Sequence, residues 1–181
     1  GRTRAPGALA RRRVEGREGD KRVIVHVTNA TAPVMLKVVL GLAEDGIVEL
    51  ATSQSRLFIE LAAQQPQTDW TFQYSPEMFS GTELAFSKRV VDAVTEVWQP
   101  TAGLPCIINL PTTVEHSTPD VFADKIDNFH RHIARRDAVV LSAHPQHDPD
   151  TGAATADPAD MAHAPRVAIR MLRPRERTTQ S

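Results

Sequence analysis

One cysteine in 181 residues, Cys106, leaves no partner for an internal disulfide. It sits inside the apolar run Pro105–Leu110 and reads as a buried core thiol of a reducing compartment. No apolar stretch approaches the roughly 20 residues of a membrane span, and no charged-apolar-small pattern of the signal-peptide kind opens the chain. The formal net charge is only -1, so neither nucleic acid nor an acidic membrane has an electrostatic argument as a partner. No glycine-rich phosphate loop follows any strand-like run, which removes support for a dinucleotide or nucleoside-triphosphate role. The expectation is a soluble, cytoplasmic protein of one domain. That domain is somewhat short for a closed eight-stranded barrel, which typically needs about 200 residues or more.

Three zones of different character follow one another. Residues 1–20 carry Arg2, Arg4, Arg11, Arg12, Arg13 and Arg17 with almost no apolar residues, so they are expected to be a disordered basic tail. The Arg11–Arg13 run reads either as a nucleic-acid or targeting address or as a plain basic tail, and Glu15, Glu18 and Asp20 close behind it favour the tail. Residues 149–181 are polar, with Pro158, Pro165 and Pro174 as helix breakers and Arg170, Arg173, Arg175 and Arg177 crowding the end. They too are expected to be unstructured.

Residues 21–148 alternate strand and helix signals. Short runs rich in β-branched or aromatic residues predict strands at Arg22–Val27, Gly46–Ala51, Asp69–Tyr74, Pro105–Leu110 and Asp137–Ser142. Helix signals separate them. Pro33 suits a first turn ahead of Met35, Leu36, Val39 and Leu40, and Ser53 can cap a helix carrying Leu57, Phe58 and Leu61. Ser80 and Glu83 have capping-box spacing before Leu84, Val91, Val94 and Trp98. Thr118-Pro119 opens a segment in which Phe122, Ile126, Phe129 and Ile133 recur at helical spacing. The resulting βαβαβαβαβ order predicts a parallel α/β sheet with right-handed crossovers. It does not choose between an open sheet and a barrel.

The residues at the strand ends carry the choice. Phe72-Gln-Tyr-Ser-Pro-Glu77, Gly81-Thr-Glu83, Val97-Trp98-Gln-Pro-Thr101, Asn109-Leu-Pro-Thr-Thr-Val-Glu115, Thr118-Pro119, Ala123-Asp124, and Arg135-Arg-Asp137 through Leu141-Ser-Ala-His-Pro145 follow in order. Together they resemble the 2-isopropylmalate synthase family, the metal-dependent, Claisen-condensing TIM-barrel enzymes that include homocitrate synthase. The likeness covers residues 22–148 and is strongest from Trp70 onward. It implies a partial TIM (β/α)8 barrel of about five consecutive βα units with disordered tails. The implied reaction is acyl transfer, condensing acetyl-CoA with the 2-oxo acid 2-oxoisovalerate in leucine biosynthesis. In it, a divalent metal ion (Mg2+, Mn2+ or Zn2+) polarises the 2-oxo carbonyl while a base removes a proton from the acetyl methyl group.

The resemblance also assigns residues. It makes Glu77 a catalytic carboxylate that contacts substrate, where the residue taken alone would be an exposed glutamate in the loop after a strand. It makes Thr113 the hydroxyl that binds the 2-oxo acid carboxylate, where the bare sequence reads a turn or cap residue. Glu83 and Glu115 read as capping or rim residues. His26 and Asn29 match a family His-x-x-Asn pattern and equally suit a half-buried structural pair. His144 matches the first imidazole of a His-x-His metal motif at a strand end, where alternate side chains face one way and can grip one ion. The second position is Gln146, whose amide oxygen is a poorer ligand for transition metals. His147 follows as a substitute donor if a bulge turns it inward, and Asp148 fits the motif's trailing aspartate.

Two departures bear on activity. Nothing before Arg22 matches the family's arginine-aspartate motif, and the last barrel strand and the leucine-sensing region have no counterpart after Asp148. These gaps lead to the expectation of an incomplete or inactive fragment whose flanks are frame-shifted or misjoined sequence. Two other readings stay open: a non-catalytic paralogue pairing through its open strand edges, and a homocitrate- or citramalate-forming relative. In the family the enzyme is expected to be a homodimer.

Overall fold

A computed structural model describes residues 22–36, 41–111, 118–144 and 167–169. Its strands are β1 (Arg22–Ala30), β2 (Asp69–Glu77), β3 (Cys106–Pro111), β4 (Val139–His144) and β5 (Val167–Ile169). Its α-helices are α1 (Pro33–Met35), α2 (Glu44–Ala63), α3 (Leu84–Trp98) and α4 (Pro119–His132). The strands form one sheet in the order β1-β2-β3-β4-β5, and every adjacent pair is parallel. A doubly wound sheet reverses its strand order at a switch point, whereas a barrel keeps the order of the chain. The unbroken sequence order is that of a barrel arc, so the fold is α/β and a partial TIM barrel.

Strand alternation divides the sheet into two chemically different faces. On β2, Trp70, Phe72 and Tyr74 are buried and turn toward the helices. Phe72 stacks on Trp98 of α3 with ring centroids 4.6 Å apart and meets Phe58 of α2 at 6.0 Å. Phe58 also packs edge-on against Trp70 at 5.7 Å. Further along, Phe79 meets Phe122 and Phe129 of α4 at 6.2 and 5.2 Å. Burial of each such ring contributes about 1.5–3 kcal/mol, so this aromatic layer dominates the packing of helices on the sheet. The alternate residues Thr71, Gln73, Ser75 and Glu77 take the other face.

The second predicted strand is corrected. Gly46–Ala51 lies within the 20-residue helix α2. Ile47, Ala51, Ser55, Phe58 and Leu61 are all buried, and their spacing of three and four residues gives one apolar stripe that outweighs the local strand preference of Ile47-Val48. Ser53 is therefore no cap, and its hydroxyl donates to the Leu50 carbonyl within the helix at 2.9 Å. The helix starts after Ala43, with Glu44 and Asp45 in its first turn, where carboxylates favour the positive end of the helix dipole. Ser80 likewise caps nothing, because it lies in the 3-10 turn Phe79–Gly81 and α3 begins after Glu83. Pro33 and Pro119 do open their helices; Val39 and Leu40 lie outside the described residues.

A further correction concerns the carboxyl-terminal zone. Val167–Ile169 pairs with β4, Leu141 opposite Val167 and Ala143 opposite Ile169. These residues are not an unstructured tail: a short apolar run can satisfy its backbone on the open edge of β4. Residues 1–20 and the remainder of 149–181 lie outside the described residues.

Candidate functional site

The strand register lines up polar residues at the carboxyl ends of β1 to β4. Thr28 stands opposite Ser75, Ala30 opposite Glu77, Asn109 opposite Ser142, and Pro111 opposite His144. One level lower the row is His26, Gln73, Ile107 and Val140. The same face therefore runs from mixed to strongly polar as it approaches the strand ends, which is where α/β barrels hold substrate.

Ser75 is the hub of this layer. Its fully buried hydroxyl receives the Asn109 side-chain amide at 2.9 Å and lies 2.6 Å from His26 Nε2. The Asn109 amide donates to Ser75 Oγ, and the direction of the His26 contact follows the imidazole tautomer, because the hydroxyl can donate to Nε2 or accept from it. Three strands are thus joined by side chains as well as by backbone.

Glu77 is the last residue of β2 and not a loop residue. Its carboxylate accepts the Thr28 hydroxyl at 2.9 Å. Its backbone carbonyl accepts both the amide of Thr31, at 3.1 Å, and the hydroxyl of Thr31, at 2.9 Å. Thr31 Oγ1 also lies 2.8 Å from Thr82 Oγ1, itself 2.9 Å from the Met78 carbonyl oxygen, so the two hydroxyl protons are shared among these three contacts. Between Glu77 and the 3-10 turn, Met78 adopts a left-handed conformation with φ 61°. Such a backbone in a residue other than glycine costs on the order of 1 kcal/mol and persists only where neighbours hold it.

One of those neighbours is Lys125 on α4. Its ammonium donates to the carbonyls of Phe79 at 2.8 Å, Ser80 at 3.1 Å and Thr82, and sits 4.9 Å from the centre of the Phe79 ring. Partial burial holds its pKa below the usual lysine value. On the helix side of β1, Asn29 donates to Gln54 of α2 at 3.1 Å, and its own buried Oδ1 has no partner among the described residues.

The structure thus brings Glu77 together with Thr28, and His26 with Ser75 and Asn109. Asn29 belongs to a separate pair with Gln54, and Glu83 occupies the N-cap position of α3 without a side-chain capping bond. His144 is placed by its backbone at the end of β4. Thr113, Glu115, Gln146, His147 and Asp148 lie outside the described residues. Among the described residues, no group of three or more His, Cys, Asp or Glu side chains is arranged to hold a metal ion; they do not make a cation site by themselves. Among them also, no helix is long and apolar enough to cross a membrane. Sequence reasoning passed over Ser75, Thr28, Thr31 and Lys125. Strand alternation from Glu77 points to Ser75, whereas nothing local in the sequence announces Lys125.

A sequence model described as HMGL-like matches residues 8–168. The chain belongs to the HMGL-like family. It is 54% identical over 165 residues to a 2-isopropylmalate synthase of Azoarcus sp. (strain BH72), covering 91% of this chain and 29% of that protein. The 2-isopropylmalate synthases of Parvibaculum lavamentivorans and Ralstonia pickettii are 50% and 49% identical over the same length, with the same coverage. The chain spans about three-tenths of the length of these curated relatives. The family match takes in residues 8–21 and 149–168 as well as the 22–148 segment, which weighs against flanks of foreign sequence.

Proposed function

We propose that this chain supplies part of the active site of a 2-isopropylmalate synthase-type acyltransferase, which joins acetyl-CoA to 2-oxoisovalerate in leucine biosynthesis. The observation that carries the reading is identity of about one half to proteins of that name over 91% of the chain, together with the polar layer at the strand ends. Glu77 is the proposed base. Thr28 donates to its Oε2, which fixes the orientation of the carboxylate.

In this scheme Glu77 takes a proton from the acetyl methyl group, and the carbon so freed bonds to the carbonyl carbon of the 2-oxo acid. The carbonyl electron pair moves onto its oxygen, which gains a proton. Water then cleaves the thioester to leave a carboxylate and the CoA thiol. Thr113 is the proposed hydroxyl for the 2-oxo acid carboxylate. His144 and His147 are the proposed donors to a divalent cation, whose chemistry when bound is Lewis-acid polarisation, with Gln146 between them offering only an amide oxygen.

The test is a graft. The matched segment of the Azoarcus relative is replaced by that of this chain, and release of CoA thiol is followed with acetyl-CoA, Mg2+ or Mn2+, and 2-oxoisovalerate. The reading expects turnover, and a loss of about 10²-fold or more in Glu77→Gln, the range of a removed general base. A folded chimera that releases no CoA while its parent does overturns it. Faster turnover with 2-oxoglutarate or pyruvate would reassign the substrate to the homocitrate or citramalate type. The 181-residue chain is assayed beside the chimera.

A further inference from the structure

We infer that Lys125 is a positioning residue for Glu77, a clamp from α4 onto the turn that carries this carboxylate. The inference rests on the proposed role of Glu77.

Three observations converge on the clamp. First, the ammonium of Lys125 has three N–H donors and the turn presents three carbonyls to it, those of Phe79, Ser80 and Thr82. A planar guanidinium cannot aim its donors at three oxygens gathered around one point, so the geometry is specific for a lysine. Second, the clamped residues begin immediately after Met78, whose left-handed backbone is the bend through which the chain leaves Glu77. Carbonyl acceptors on the far side of that bend resist its relaxation. Third, the near side is already pinned by Thr31, whose backbone N–H donates to the Glu77 carbonyl, while the hydroxyls of Thr31 and Thr82 share their two protons among the Glu77 carbonyl, the Met78 carbonyl and each other. Glu77 is therefore held from β1 on one side and from α4 on the other.

The clamp also spans two elements that the proposed chemistry needs together. Helix α4 begins at Pro119, six positions after Thr113. By reaching from α4 to the turn after β2, Lys125 ties that helix to the segment following Glu77.

The test compares wild type with Lys125→Met, which keeps the length of the stem and removes the donors. The control is Ile126→Val, a buried neighbour on the same helix. Hydrogen exchange is read at the amides of Thr31, Gly81 and Thr82, which bond to Glu77, Met78 and Phe79, and at the amides of β4. The clamp expects exchange at the turn amides of Gly81 and Thr82, and with them at Thr31, to rise about tenfold or more in Lys125→Met, the effect of losing even one bond from a charged donor. The β4 amides should hold, and Ile126→Val should move neither set. Unchanged turn amides in Lys125→Met overturn the inference. If Lys125→Met does not fold, Lys125→Arg is read the same way and should loosen the turn by a smaller factor.

Affinity for 2-oxoisovalerate, measured by ligand-observed NMR in the same variants, separates positioning from general stabilisation. Positioning expects weaker binding in Lys125→Met, partial recovery in Lys125→Arg, and no loss in Ile126→Val. Equal losses in Lys125→Met and Ile126→Val would reduce Lys125 to a structural residue. Should the wild-type chain bind no 2-oxo acid, the functional reading fails for this chain, and the exchange data alone decide the clamp.

Discussion

Replacing Phe58 by alanine removes the ring at the centre of the aromatic layer. Phe58 is 1% exposed and meets Trp70, Phe72 and Trp98 at 5.7, 6.0 and 5.7 Å. Loss of a buried phenylalanine side chain costs about 3–5 kcal/mol, transfer and cavity terms together, and most of the aromatic-pair energy falls inside that range. A domain of this size has roughly 5–15 kcal/mol in total, so the variant should retain a fold of much reduced stability. Urea unfolding followed by tryptophan fluorescence is the natural assay, because both tryptophans of the chain lie against Phe58. With a denaturant slope of about 2 kcal/mol/M, the midpoint should fall by about 2 M. The neighbouring Ile59 is 38% exposed, and Ile59→Ala should shift the midpoint far less. Equal shifts at the two positions would refute the reasoning, since they would mean that α2 does not present the face described here.

Other consequences are open to direct measurement. Burial pushes the Cys106 thiol from about 9 up to about 12, so alkylation at pH 8 should proceed only after unfolding. Because the folded pKa is raised, the stabilising contribution is whole below pH 9 and is lost as pH climbs toward 12, visible as a fall in melting temperature that is smaller in Cys106→Ala. Tyr74 has a fully buried hydroxyl with no partner among the described residues. Because an unsatisfied buried hydroxyl is costly, Tyr74→Phe should leave the urea midpoint unchanged or raise it, and a clear fall would expose a partner. Ser75→Ala deprives the buried Asn109 amide of its acceptor and should cost about 1–3 kcal/mol, read as a drop of several degrees in Tm. Adding Asn109→Ala to it should cost less than Asn109→Ala alone, the signature of one shared network.

Much of the barrel arc was legible because its strands have short, strongly patterned sequences. Arg22–Val27, Asp69–Tyr74 and Pro105–Leu110 each lie wholly or mostly within an observed strand. The Gly46–Ala51 run was misread since a window of six residues sees Ile47-Val48 but not Phe58 and Leu61, and only the longer window shows the helical stripe. Val167–Ile169 escaped because its pairing depends on β4, a partner that no local pattern declares. At the site, Glu77 was legible through its motif and through its place at a strand end. The His26–Ser75–Asn109 network was not, because it crosses three strands whose relative register is set by tertiary packing. Lys125 lies 48 positions after Glu77, on a helix whose apolar pattern says nothing of where its lysine reaches.

The two faces of β2 interleave residues of opposite purpose: Trp70, Phe72 and Tyr74 alternate with Thr71, Gln73, Ser75 and Glu77. A single inserted residue just inside Asp69 would exchange the faces, delivering aromatic rings to the polar side and the serine and glutamate to the helices, so that folding and chemistry would be lost together. An insertion among residues 64–68, before the strand begins, would instead lengthen a surface turn, where even doubling a flexible loop costs only about 0.6 kcal/mol. Around β2, length variation is therefore confined by geometry to the turn before the strand, and its nine residues must be inherited as an undivided block.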